Sequence, residues 1–152
     1  LQIQFYISMT KLLTAFFLFF TLVSCGQTNS NLDKGKNRID KVCDNFMQQF
    51  VAGKTDEAFE LLRQNTVIQS SSIDTIKVAV ADQIQNVFPQ FGKMLSFEFV
   101  KEKKVKTFLS KRFYIIKFSK FFLQVEFILY NSGTGWTITS FHYSEEAGEL
   151  FD

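Results

Sequence analysis

Ile84-Gln-Asn-Val87-Phe-Pro89-Gln-Phe91-Gly92-Lys-Met-Leu95-Ser-Phe97-Glu98-Phe99 is the stretch in which the chain changes its hydrophobic period. Approaching it, Ile73, Ile76, Val80, Ile84 and Val87 recur at intervals of 3, 4, 4 and 3, the apolar stripe of an amphipathic helix. Pro89 has no amide hydrogen to continue a helical ladder, and Gly92 is a breaker, so the pair marks the helix end. Beyond Gly92, Leu95, Phe97 and Phe99 alternate with Ser96 and Glu98, the period-2 pattern of a half-buried strand.

Working outward, everything upstream in the globular region reads as helix. Asn37 is a suitable cap, with Asp40 three residues later, and Ile39, Cys43, Phe46 and Phe50 form one stripe that Gly53 stops. Thr55-Asp56-Glu57 opens a shorter helix carrying Phe59, Leu61 and Leu62, with its acids in the first turn where they favour the helix dipole. The polar Gln69-Ser-Ser-Ser72 separates it from the third helix.

Everything downstream reads as strand. Residues 111–119 form a second β run, and Leu123, Val125, Phe127 and Leu129 alternate with Gln124 and Glu126. Asn131-Ser-Gly-Thr-Gly135 is a turn, and Trp136 to Tyr143 is the last strand, with Thr137 and Thr139 set against Ile138. Short loops between consecutive strands imply an antiparallel meander, and helices followed by strands imply an α+β domain over residues 37–152.

Of the 152 residues, 46% are hydrophobic and 21% charged, the balance of one packed domain. The chain holds 20 Phe, five of them before Cys25, which leaves a bulky set for a core. Its formal charge is +2, and Lys11 is the one charged residue before Cys25. A balance so near neutral excludes a global pull toward nucleic acid.

Lys11 precedes an uncharged run, Leu12 to Val23, which ends in Ser24-Cys25-Gly26. A cation, a short apolar run and small residues make up a secretory signal. As a helix this run would reach only about 18 Å at ~1.5 Å per residue, short of a ~30 Å hydrocarbon layer. Leu22-Val23-Ser24-Cys25 resembles the lipobox of bacterial lipoproteins. That resemblance implies diacylglyceryl transfer to the Cys25 thiol, removal of residues 1–24, and a lipid (palmitate-type) anchor in the membrane of the cell envelope. Met9 is then the expected initiator. Gly26 in place of Asp after the lipidated cysteine implies the outer membrane, if the host is Gram-negative. Residues 26–36 are polar and aperiodic and are expected to form a flexible tether, about 40 Å long when extended. With Cys25 lipidated, Cys43 has no partner for an intramolecular disulfide and is expected to be a small buried hydrophobe on the first helix.

The order of elements also resembles the cystatin-like cone of the nuclear transport factor superfamily, in particular its small secreted bacterial members. Phe46-Met-Gln-Gln-Phe50, Gly53-Lys-Thr-Asp-Glu-Ala-Phe59, Phe91-Gly92-Lys93 and Gly135-Trp136-Thr-Ile138 carry the likeness. It implies a curved four-stranded sheet around the helices, with an apolar cavity between them in some members. An enzyme of this type needs a general base in that cavity. Glu98, Glu126 and His142 are the catalytic candidates, each on the less apolar face of its strand. Tyr114, Phe127, Tyr130, Trp136 and Phe141 are the candidates to line a ligand pocket. No nucleophile elbow, phosphate-binding glycine loop or zinc-protease motif occurs. One His and scattered Cys leave too few ligands for a metal site, and no cofactor is expected.

The expectation is therefore a non-enzymatic envelope lipoprotein that binds a protein partner or an apolar ligand. The alternative is a small enzyme using Glu98 or Glu126. A run of basic residues, including Lys101, Lys103, Lys104, Lys106, Lys111 and Arg112, has two readings. It is a face for anionic envelope material, or it guards exposed strand edges while the acidic tail Glu145, Glu146, Glu149 and Asp152 folds back over it.

Overall fold

The computed structural model describes the backbone from Thr28 to Phe151 and the side chains from Lys34 to Phe151. The leader, the lipobox and Cys25 lie outside the described residues. Helix α1 spans Thr28–Val51, α2 Thr55–Arg63, α3 Ser70–Asn86 and the single turn α4 Phe88–Phe91. Strands follow at β1 Met94–Val105, β2 Leu109–Phe118, β3 Phe122–Asn131 and β4 Trp136–Ser144, and a 3-10 turn at Gly148–Leu150 ends the chain. The strands form one antiparallel sheet in the order β1-β2-β3-β4, so the fold is α+β with a four-stranded meander, as expected.

One boundary needs correction. The first helix begins at Thr28, so Asn37 is not its cap and the flexible stretch expected to run to Lys36 is helical from Thr28 onward. At Gly35 and Lys36 tertiary contact accompanies the helical conformation, against the weak local pattern. Lys36 is buried between Asp40 of its own helix and Glu102 of β1, and Gly35 sits under Trp136, whose Cδ1 would be 3.6 Å from a Cβ at that position.

The far end of α1 is as read. Gly53, at φ +79°, closes it with two bonds: its own amide donates to Phe50 O, and the amide of Lys54 donates to Gln49 O. Gly92 is required for a different reason. A Cβ there would lie 2.1 Å from Ser119 Oγ, where the β2–β3 turn bonds back to Phe91 and Lys93.

The stripe Ile39, Cys43, Phe46 and Phe50 is wholly buried, joined by Phe59 and Leu62 of α2 and by Ile73 and Val80 of α3. Against it the sheet turns Tyr114, Ile116, Leu123, Val125, Phe127, Leu129 and Ile138. Rings interlock at the centre: Phe46 meets Phe59, Phe127 and Phe141 with centroids 5.1–5.5 Å apart.

β1 is longer than its apolar half suggested. It continues through the lysine run because β2 pairs with it as far as Val105↔Leu109. A bulge at Val100, between the pairs Phe99↔Tyr114 and Lys101↔Phe113, inverts the alternation. Before it Phe97 and Phe99 face the helices; after it Glu102 and Lys104 do. The two sheet edges also differ. β4 is met by residues 65–67, through Ile138 N donating to Asn65 O and Val67 N donating to Ile138 O. β1 is the other edge of the sheet, with Leu95, Phe99, Val100 and Val105 exposed.

Candidate functional site

The bulge delivers Glu102 to a charged network between α1 and the sheet. Lys36, Asp40 and Asp44 follow one another at four-residue spacing along α1 and face Glu102 of β1 with Ser110, Arg112 and Tyr114 of β2. Lys36 donates to Asp40 at 2.5 Å and also to Glu102, which accepts from Ser110 as well and lies 3.2 Å from Lys104. Arg112 reaches Asp40 at 3.1 Å through Nη1 and Asp44 at 3.2 Å through Nη2, and its Nε donates to the Tyr114 hydroxyl at 3.0 Å. Tyr114 in turn donates to Asp44 at 2.5 Å. The guanidinium lies 4.3 Å above the Phe99 ring.

Every charge in this network is paired, so it holds α1 to the β1–β2 hairpin and leaves no free base. Burial, then the hydrogen bond to Asp44, push the Tyr114 hydroxyl above its ordinary pKa. Burial also pushes the Cys43 thiol up to about 12, so it is the inert buried group expected of that stripe position.

Burial alone would raise the Glu102 carboxyl, but hydrogen bonds from Lys36 and Ser110 outweigh it and bring the pKa down from 4.5 to about 2. A folded-state pKa below the unfolded one gives stability that is fully present above 4.5 and lost as pH falls toward 2. Urea midpoints of the wild type should therefore fall between pH 5 and pH 2.5, and those of Glu102→Gln should fall less steeply. Parallel curves for the two proteins would remove Glu102 from acid sensitivity.

The catalytic candidates do not converge. Glu98 lies on the sheet face turned away from the helices, is exposed, and pairs with Lys117. Glu126 is on that same outer face, but two strands further across, on β3. It is buried there, accepting from Gln124 and lying 2.9 Å from Lys111. His142 is exposed opposite Glu126 in register. Convergence in a cavity between helices and sheet, which a carboxylate enzyme of this kind needs, is thus not found. Strand parity explains it: Val125 and Phe127 take the helix side, so Glu126 cannot.

The pocket candidates divide as well. Tyr114 and Phe127 are fully buried, 5.7 Å apart in edge-to-face contact, and Phe141 packs on Phe46, Phe59 and Phe127. Trp136 is half-buried, with the Lys36 ammonium 5.4 Å from its ring. Tyr130 is exposed and faces the opposite side. These side chains are core and rim, not the wall of one pocket. A groove of about 420 Å³ along α2, lined by Asp56, Glu57, Glu60, Leu61 and Gln64, contains none of them.

The lysines expected to share an anionic-surface face are also dispersed. Lys101 and Lys103 lie on the outer face, Lys104 on the helix face, and Lys106 in the β1–β2 turn at φ +54°. Of the acidic tail, Glu149 folds back to lie 2.9 Å from Lys111, and Lys101 donates to Leu150 O at 3.0 Å, while Glu145 and Glu146 are exposed and Asp152 lies outside the described residues. Among the described residues no three His, Cys, Asp or Glu side chains are placed to hold a metal ion, and no helix is long and apolar enough to cross a membrane.

The network was the feature that sequence reasoning missed. Its signal was the polar spacing Lys36, Asp40, Asp44 running beside the apolar stripe. Comparison of the chain with protein-family profiles, curated proteins and solved structures finds no match in any of the three.

Proposed function

We propose that the chain is a lipid-anchored cell-envelope protein whose domain is a non-enzymatic association module, docking a protein partner along β1. The observation that carries the association reading is the asymmetry of the sheet. The β4 edge is bonded at Ile138 by residues 65–67, while β1 is a 12-residue edge strand that carries no further strand among the described residues and has Leu95, Phe99, Val100 and Val105 exposed beside it. An open edge offers main-chain donors and acceptors to an extended partner segment, and the exposed apolar side chains give it selectivity. Lys103 and Lys104 at the far end, and the irregularities at Leu95 and Val100, discourage indiscriminate pairing and confine docking to the regular Ser96–Phe99 segment and the apolar side chains flanking it.

The anchor reading is supported by Leu22-Val23-Ser24-Cys25 and by Gly26 after it, which favours the outer membrane of a Gram-negative host. Helices followed by a meander support relating the domain to the cystatin-like cone. An apolar ligand is the weaker choice of occupant, because Tyr114 and Phe127 spend their surface on one another and on the helices.

Both parts are testable in cells. Cys25→Ser should abolish incorporation of labelled palmitate and release the protein from membranes. A photo-crosslinking residue at Val100 should give a discrete protein adduct, while one at Val78, exposed on α3, should not. Lipid-independent membrane retention would overturn the anchor, and equal adducts at both positions would overturn the β1 edge.

A further inference from the structure

The outer face of the sheet gathers three lysines around one ring. The ammonium groups of Lys101, Lys103 and Lys111 lie 5.5, 5.8 and 5.2 Å from the centroid of Phe113. Phe113 points away from the helices and yet is fully buried. Stems of the lysines cover it, and the C-terminal turn Gly148–Leu150 is fastened to two of them. Lys111 stands between Glu126 and Glu149, 2.9 Å from each. Burial would lower its pKa, but the two carboxylates reverse that and raise it. Lys111, Lys103 and Lys101 all act to lower the pKa of Glu149.

This closure is thin. An exposed ion pair contributes little, Phe151 is 88% exposed, and Leu150 is the one large apolar side chain of the Gly148–Phe151 end that is even half-buried. Beside the cluster, Gln124 is buried and donates its amide to Glu126, which fixes Oε1 as the other end of the group. That oxygen has no hydrogen-bond partner among the described residues. A buried acceptor without a donor is costly, and one more N–H at this place would satisfy it. Three cations against two carboxylates, a covered aromatic ring and an unmatched acceptor make a surface more complementary to an acidic chain segment than its present cover exploits.

We propose that the outer face at Lys101, Lys103, Lys111 and Phe113 is a docking site for an acidic segment of a partner protein, which the chain's own tail, Glu145–Phe151, occupies as an intramolecular stand-in. The partner segment places a carboxylate where Glu149 lies and a backbone carbonyl where Leu150 accepts from Lys101. It takes over from the tail because the tail is held by so little. This face is separate from the hydrogen-bonding edge of β1, so the site stands or falls independently of strand addition.

The test uses the full chain and, as probe, a fluorescent synthetic peptide of residues 143–152, followed by anisotropy at about 50 mM salt, where exposed charges are weakly screened. Wild-type protein should bind it weakly, because the tethered tail competes at an effective concentration in the millimolar range. Glu149→Gln in the protein weakens that competitor and should tighten peptide binding about two- to fivefold. In the Glu149→Gln background, where the tethered competitor is already weakened, Lys103→Glu, at an exposed position, and Lys111→Glu should each weaken peptide binding further, by several-fold. A peptide with Lys in place of its Glu149 equivalent should regain affinity for Lys111→Glu. Far-UV circular dichroism monitors folding, and if Lys111→Glu is unfolded, Lys103→Glu decides. Glu149→Gln binding no tighter than wild type, or Glu149→Gln with Lys103→Glu binding as well as Glu149→Gln alone, overturns the proposal.

Discussion

Phe46→Ala is expected to destabilise the domain by about 3–5 kcal/mol, the usual cost of deleting a fully buried aromatic side chain. Phe46 is the ring on which α1, α2 and the sheet meet. It stacks on Phe50 at 5.9 Å, and meets Phe59, Phe127 and Phe141 at 5.1–5.5 Å. Rings from three separate elements cannot all close on the space it leaves without moving those elements, so the cavity term adds to the lost burial. Against a total stability of about 5–15 kcal/mol, such a loss takes about a fifth or more of the whole. Urea denaturation followed by far-UV circular dichroism measures it, with Phe151→Ala as the control. Phe151 is 88% exposed, so its truncation should stay within about 0.5 kcal/mol. A Phe46→Ala cost under about 1.5 kcal/mol would mean that the aromatic cluster is not the centre of the core.

That cluster was legible in the sequence, and the reason is periodicity. Ile39, Cys43, Phe46 and Phe50 repeat at helical spacing and all are buried. Leu123, Val125, Phe127 and Leu129 repeat at strand spacing and turn to the helices. Period and turn chemistry are local properties, so the α+β order and the meander followed from them. What did not follow depended on contacts far apart in the chain. The burial of Lys36 within α1 rests on its meeting Glu102, 66 positions away, and no local pattern announces that. The bulge at Val100 is likewise silent: extending the alternation of Leu95 to Phe99 places Glu102 on the outer face with Glu98, whereas the extra residue turns it to the helices. The candidate site failed for the same kind of reason. Alternation placed Glu98, Glu126 and His142 on the less apolar faces of their strands, and that face is the outer one. The fold-back of Glu149 in the acidic tail was legible, because opposite charge at high local density is a property of composition.

Arg112→Met should produce the second large effect, a loss of about 3 kcal/mol, near the lower end for breaking a buried ion pair. Methionine keeps the length and the apolar contact with Phe99 but removes the guanidinium from Asp40, Asp44 and Tyr114. The consequences for the two carboxylates differ. Asp44 has a side chain 48% exposed and can regain water, while Asp40, at 20%, cannot do so fully and depends more heavily on Lys36. Adding Asp40→Asn and Asp44→Asn to Arg112→Met should therefore recover a large part of the loss, since neutral amides need no cation beside them. If the triple variant is instead less stable than Arg112→Met alone, the network stabilises the fold through attraction that exceeds its desolvation cost. Amide hydrogen exchange separates this local role from global stability. The single variant should exchange faster over residues 36–44 of α1 and over β1 near Phe99, whereas Phe46→Ala should accelerate exchange throughout. Because methionine keeps only the apolar contact with Phe99 and loses the cation over that ring at the β1 edge, the same substitution should reduce crosslinking from Val100 under conditions where the domain remains folded. Loss of edge binding without unfolding ties the network to association, since a network that only stabilised the core would leave the edge of a folded molecule unchanged.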